Sequence, residues 1–144
     1  FTNFKTDGSA GHNSSFPDTD FFLMRAAEAY LIYAEADARM NGGTTTTDGT
    51  QYINALRSRA HATTHTAYSL RQICDEWSRE FYFEGLRRTT LVRFGYFGGN
   101  VNYNWSWKGG VKNGRNFDAH LNLFPIPSSD LTANRNLVQN QGYN

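Results

Sequence analysis

Apolar and small residues recur along the first half of this chain at the spacing of helices. From Leu23 the positions Ala27, Leu31, Ala34 and Ala38 fall on one helical face, and Ala26, Ala29 and Ala36 would let neighbouring helices approach closely. Asp18 or Asp20 is a candidate N-cap for this helix, and Asn41-Gly42-Gly43 is a stop. Thr44 to Thr47 reads as a polar linker, with Asp48 as the cap of a second helix carrying Tyr52, Ile53, Leu56 and Ala60. The pattern therefore predicts a helical hairpin. Before it, residues 1–20 are rich in Gly, Ser, Asn and Thr without a helical period and read as irregular chain, a loop or a short strand.

A third helix is predicted from Ser69, where Gln72 completes a capping box, to about Gly85, followed by a shorter helix from Leu86 to Phe94. Ile73, Trp77 and Phe81 recur every fourth residue and stack on one side of it. Arg79, Phe83 and Arg87 form a second row and Glu76, Glu80 and Glu84 a third. Within these rows Glu76 can reach Arg79, and Glu84 can reach Arg87 and Arg88. Residues 21–95 thus read as two helical pairs, packed on several sides.

After Gly95 the composition turns to Gly, Asn and aromatics, which is loop chemistry, and residues 96–144 read as long loops and a C-terminal latch. If Tyr103 to Trp107 is extended, Tyr103, Trp105 and Trp107 share one face about 6.6 Å apart, with Asn104 and Ser106 on the other. Rings in such a row can stack on the C–H face of a pyranose while amide and hydroxyl groups bond its hydroxyls. Tyr103, Asn104, Trp105 and Trp107 are therefore the candidate carbohydrate-binding residues. A half-buried strand or a rim against another domain fits the same pattern. Further on, Pro125 and Pro127 hold an extended segment, Ser128 caps a short turn through Leu131, and Asn134, Asn136, Asn140 and Gly142 supply turns that carry Leu137 and Tyr143 back onto the body.

Composition narrows the functional classes. The chain has 144 residues, 39% hydrophobic and 15% aromatic, enough for the core of one globular domain spanning residues 1–144. Its 14 basic and 13 acidic residues nearly balance, which gives no footprint for nucleic acid. The lone Cys74 excludes an internal disulfide and reads as a small buried hydrophobe. No apolar run approaches the length of a membrane span, and no signal-peptide pattern is visible.

Sharper chemistries fit poorly. Glu80 and Glu84 could be offered as a glycosidase pair, but Arg87 and Arg88 lie one turn away and favour structural ion pairing. His61 and His65 have the spacing of a metal pair, yet Thr63 and Thr64 weaken the helix and no third ligand is close in sequence. Neither a Gly-x-Ser-x-Gly elbow nor a phosphate-binding glycine loop is present. The expectation is no catalytic residues, no metal and no cofactor.

Three segments in order carry a family resemblance. The stretch from Ile73 through Glu84-Gly85-Leu86-Arg87-Arg88 to Leu91-Val92-Arg93 resembles the C-terminal signature of the SusD/RagB family of outer-membrane nutrient-binding lipoproteins. Arg25-Ala26-Ala27-Glu28 with Ala34-Glu35-Ala36 resembles its Ala-rich helix. Leu123-Phe124-Pro125-Ile126-Pro127, with Asp130-Leu131 and Gln139-Asn140-Gln141-Gly142-Tyr143, resembles its end. Trp77 stands where the family usually has Arg, Thr90 where it has Asp, and Arg135 and Gln141 where it has Pro. The resemblance implies a mostly α fold of tetratricopeptide-like pairs, corresponding to the C-terminal part of longer proteins, with an apolar surface that the remainder would cover. It further implies a non-enzymatic protein on the extracellular face of the outer membrane, attached only through an N-terminal lipid anchor absent from this chain. Such a protein would bind an oligosaccharide and partner a TonB-dependent, SusC-like transporter. A helical scaffold for contact with that transporter is the alternative implied role.

Overall fold

A computed structural model describes residues 4, 5, 7–13, 15, 22–99 and 102–143. Among these residues five helices follow one another: α1 Ala26–Met40, α2 Thr47–Arg59, α3 Leu70–Glu80, α4 Arg87–Arg93 and α5 Ser128–Ala133, with 3₁₀ turns at Lys108–Gly110 and Ala119–Asn122. Among the described residues, extended pairing is limited to isolated bridges, one of them Phe4 with Ala10 in the N-terminal stretch. No described helix is long and apolar enough to cross a membrane.

The predicted face of α1 is the observed core. Ala27, Leu31, Ala34 and Ala38 are all buried, and they pack with Ile53 and Leu56 of α2 and with Ile73, Trp77 and Phe81. Asp18 and Asp20 lie outside the described residues; the residue that precedes α1 is Arg25, in extended conformation and with no side-chain cap bond. Asn41 ends the helix as expected, and Gly43, at a φ of 93°, returns its N–H to the Ala38 carbonyl at 2.7 Å.

Helix α2 starts one residue before the predicted cap because α1 caps it from across the hairpin. The Asp37 carboxylate accepts the Thr46 N–H at 2.7 Å and the Thr46 hydroxyl at 2.8 Å, leaving Asp48 inside the first turn where its charge suits the helix dipole. Gly49 is required there, since a Cβ would run into the Asp37 carboxyl group. The return to α3 is tied through Tyr68, whose N–H reaches Thr45 Oγ1 at 2.9 Å and whose hydroxyl reaches Asn54.

The Ser69–Gln72 capping box opens α3 as predicted, but the helix ends at Glu80 and not near Gly85. Two causes act together. Phe81-Tyr82-Phe83 is a run of weak helix formers, and the Arg25 guanidinium occupies the end of the helix, donating to the Glu80 carbonyl at 2.7 Å and to the carboxylates of Glu80 and Glu84. The row Arg79–Phe83–Arg87 is broken as a result: Phe83 sits at a φ of 64° and is 86% exposed. Glu84 is likewise bound by Arg25, at 2.8 Å, where the spacing had suggested Arg87 and Arg88. Glu76 does pair with Arg79, at 2.7 Å, and also with Arg57 of α2.

The C-terminal segment latches onto residues 120–126 and not onto the helical body. Tyr143 donates to the Leu123 carbonyl and packs edge-on against His120; Gln139 both donates to and accepts from the Ile126 backbone; Leu137 stays exposed. Arg88 of α4 joins this unit to the helices by donating to the Leu121 carbonyl and lying 3.8 Å from the Phe124 ring centroid.

Candidate functional site

The aromatic loop does not form the predicted row. Tyr103 is 5% exposed, its ring lying flat on Tyr96 with centroids 4.6 Å apart, while the Arg71 guanidinium covers it 4.0 Å from its centroid. Its hydroxyl accepts from Arg87 Nη2 at 2.6 Å and donates to Asp75 at 3.0 Å. Burial pushes the phenol pKa up, partly opposed by the Arg87 charge. Tyr103 is therefore an anchor that ties the loop to α3 and α4, and it presents no open face to a sugar.

Beyond it the chain turns. Trp107 adopts a left-handed φ of 67°, its N–H reaches the Lys112 carbonyl at 3.3 Å, and the Lys108 N–H reaches the Trp105 carbonyl at 3.1 Å. Strand alternation consequently stops at Trp105, whose ring is tilted 67° from that of Tyr103. Trp105 and Trp107 remain 38% and 66% exposed, and Asn104 and Ser106 are also exposed. Of the four candidate residues, Asn104, Trp105 and Trp107 stand at the surface of one tight turn. Gly114 closes that turn, because a Cβ there would collide with the Trp105 carbonyl. Two residues that shape the loop, Arg71 and Lys108, carried no signal in the sequence.

Clefts open elsewhere. One of about 420 Å³ lies between α1 and α4, another of about 380 Å³ is walled by Phe81, Tyr82, Phe83 and Arg87, and a third of about 590 Å³ lies beside His120 and Gly142. The Trp105–Trp107 turn lines none of these three. The first cleft joins the two departures noted in the signature, Trp77 and Thr90. Arg93 covers the Trp77 ring at 4.8 Å and pairs with Glu35 at 3.0 Å, while Thr90 turns its hydroxyl to the Leu86 carbonyl, so neither site leaves a charge without a partner.

The acidic candidates are structural. Glu80 is held by Arg25 at 2.7 Å and by Arg59 at 2.6 Å. Burial favours its neutral form, yet the hydrogen bonds from Arg59 and Arg25 outweigh this and keep its pKa below the ordinary value, the opposite of what a general acid needs. His61 and His65 do not share a helix, since α2 ends at Arg59. Among the described residues no three His, Cys, Asp or Glu side chains gather as a metal site. Cys74 is a free, fully buried thiol.

The chain as a whole is matched by known proteins. A profile of the SusD family matches residues 1–143. This chain belongs to the SusD family. It is 47% identical over 142 residues to the starch-binding protein SusD of Bacteroides thetaiotaomicron, covering 98% of this chain and 25% of that protein. It is 30% identical to the SusD-like protein P2 of Formosa agariphila, covering 94% of this chain and 28% of that one. Among solved structures, the surface glycan-binding protein A of Bacteroides uniformis superposes with a TM-score of 0.67 at 26% identity, covering 96% of this chain and 30% of that one. A SusD superfamily protein of Parabacteroides distasonis gives 0.69 at 24% identity, over 91% of this chain and 29% of that one. The mostly α fold of tetratricopeptide-like pairs is thus that of the SusD family. The chain spans about a quarter of the length of the curated relatives it matches.

Proposed function

We propose that this SusD-family chain serves non-catalytic capture of a glycan at the cell surface, with Trp105, Trp107 and Asn104 supplying contacts. The observation that carries the reading is the pair of exposed indoles on a turn that follows directly on the buried, hydrogen-bonded Tyr103. Exposed indoles suit the C–H faces of sugars, and the Asn104 amide can bond hydroxyls. A surface turn, not an enclosed pocket, suits a long polymer that passes across it. The 47% identical relative is named for starch binding and a structural neighbour for surface glycan binding, which makes a malto-oligosaccharide the first probe. The wider role extends from the same reading: location on the extracellular face of the outer membrane through an N-terminal lipid anchor, and delivery of the oligosaccharide to a TonB-dependent, SusC-like transporter.

Isothermal titration of maltoheptaose into wild type and into Trp105→Ala with Trp107→Ala tests it. The double variant should bind at least about tenfold more weakly, as expected when two stacking rings are lost. Equal affinity would remove these residues from the site.

A second reading, a scaffold for contact with the transporter, is favoured by the exposed apolar residues Ile32 and Met40 of α1, Ile32 standing at the cleft beside α4. Retention of a SusC-like transporter by wild type, and its loss in Ile32→Glu with Met40→Glu, would support that role.

A further inference from the structure

We infer that Lys108 is a positioning residue for the Trp105–Trp107 face, its buried ammonium holding the turn in the shape that presents both indoles; this rests on the glycan-binding reading above. Lysine is rarely buried without a partner that needs its charge. Here Lys108 is 2% exposed and, among the described residues, no carboxylate pairs with it. Its Nζ instead donates to the Tyr103 carbonyl at 3.0 Å and lies 4.7 Å from the Trp105 ring centroid and 5.0 Å from that of Phe117. One ammonium therefore joins the start of the loop, the first exposed indole and the end of the loop.

The surroundings make the ammonium a centre and not a passenger. Tyr103 is fixed on Tyr96, and Phe117 is fixed by its edge contact with Phe97 and by the Gly99 N–H bonded to its carbonyl at 3.0 Å. The tip is closely packed: Trp107 and Gly109 are both left-handed, and a Cβ on Gly109 would meet Arg115 at 2.5 Å and Phe117 at 3.1 Å. Without the cation, the Tyr103 carbonyl would lose its donor and Trp105 the charge on its ring face.

Burial also holds the Lys108 pKa below its ordinary value, so the cation is lost at a lower pH than for a free lysine. The charged groups around it are Arg115 beside Gly109, and Arg71, Asp75 and Arg87 around Tyr103. Tyr103 is itself shifted upward, chiefly by its burial.

The test uses Lys108→Met, which keeps length and removes charge. Maltoheptaose titration over a pH series from about 7 upward should show the variant weakened by about tenfold or more at neutral pH, with wild-type affinity falling as Lys108 loses its proton and the variant showing no such step. In ¹⁵N spectra the Trp105 indole N–H should move in the variant while that of Trp77 stays put. A wild type that binds, beside a variant with the same affinity and pH response, overturns the inference. If wild type binds no maltoheptaose, the glycan reading fails, and an unmoved Trp105 resonance then overturns the positioning role separately. If Lys108→Met does not fold, wild type alone decides: a ring C–H resonance of Trp105 that stays constant while the Lys108 ε-methylene signal titrates overturns the inference.

Discussion

The ring of Tyr103 lies 5° from parallel with that of Tyr96, 4.6 Å away, and this contact sets where the aromatic loop begins. Tyr103→Phe keeps the stack and loses the bonds to Arg87 and Asp75, so it should cost about 1–2 kcal/mol in urea unfolding. Tyr103→Ala removes the stack as well and should cost about 3 kcal/mol or more. It should also free the loop, so that trypsin cuts at Lys108 and Lys112 faster than in wild type. Unchanged cleavage would show that the loop is held by something else.

Arg25 binds two carboxylates and a helix-terminal carbonyl, partly shielded from water. Arg25→Ala should lower stability by about 2–3 kcal/mol at neutral pH, measured by denaturant titration. Because Glu80 has a depressed pKa in the folded chain, its contribution is present above the unfolded value near 4.5 and is lost as pH falls through the folded one. The melting temperature of wild type should therefore drop more steeply on acidification than that of Glu80→Gln.

Trp77 is well packed, yet its Nε1–H is buried with no acceptor. Trp77→Phe removes that unpaired donor along with part of the ring, two opposed effects, and should change stability by less than about 1 kcal/mol. Trp77→Ala leaves a cavity and should cost about 3–5 kcal/mol. A large loss in both would mean that the indole nitrogen has an acceptor in solution.

Cys74 is fully buried, and burial pushes its thiol pKa up against the opposing Arg87 charge. The native chain should react with a disulfide reagent near pH 8 at least about a hundredfold more slowly than the chain unfolded in guanidinium, since attack requires opening of the core. Rapid native reaction would place Cys74 at the surface.

What was legible in the sequence was local. Ala27, Leu31, Ala34 and Ala38 show their shared face by spacing alone, and Ser69 with Gln72 marks a helix start within one turn. The end of α3 was not legible, because Arg25, which closes it, lies 55 residues from Glu80. The row of Tyr103, Trp105 and Trp107 failed for the same reason: Arg71, Asp75 and Arg87 capture Tyr103 from distant positions, and the left-handed Trp107 ends the alternation. Lys108 was invisible because lysine in a polar loop is ordinarily solvated. The SusD-family membership was legible because it rests on ordered motifs and needs no contact to be known.

A crystal structure of the chain grown with maltoheptaose decides whether the Trp105–Trp107 turn takes a sugar. Glucose rings stacked on Trp105 or Trp107, with hydroxyls in reach of Asn104, are the predicted result. Sugar bound elsewhere, with both indoles bare, would contradict it.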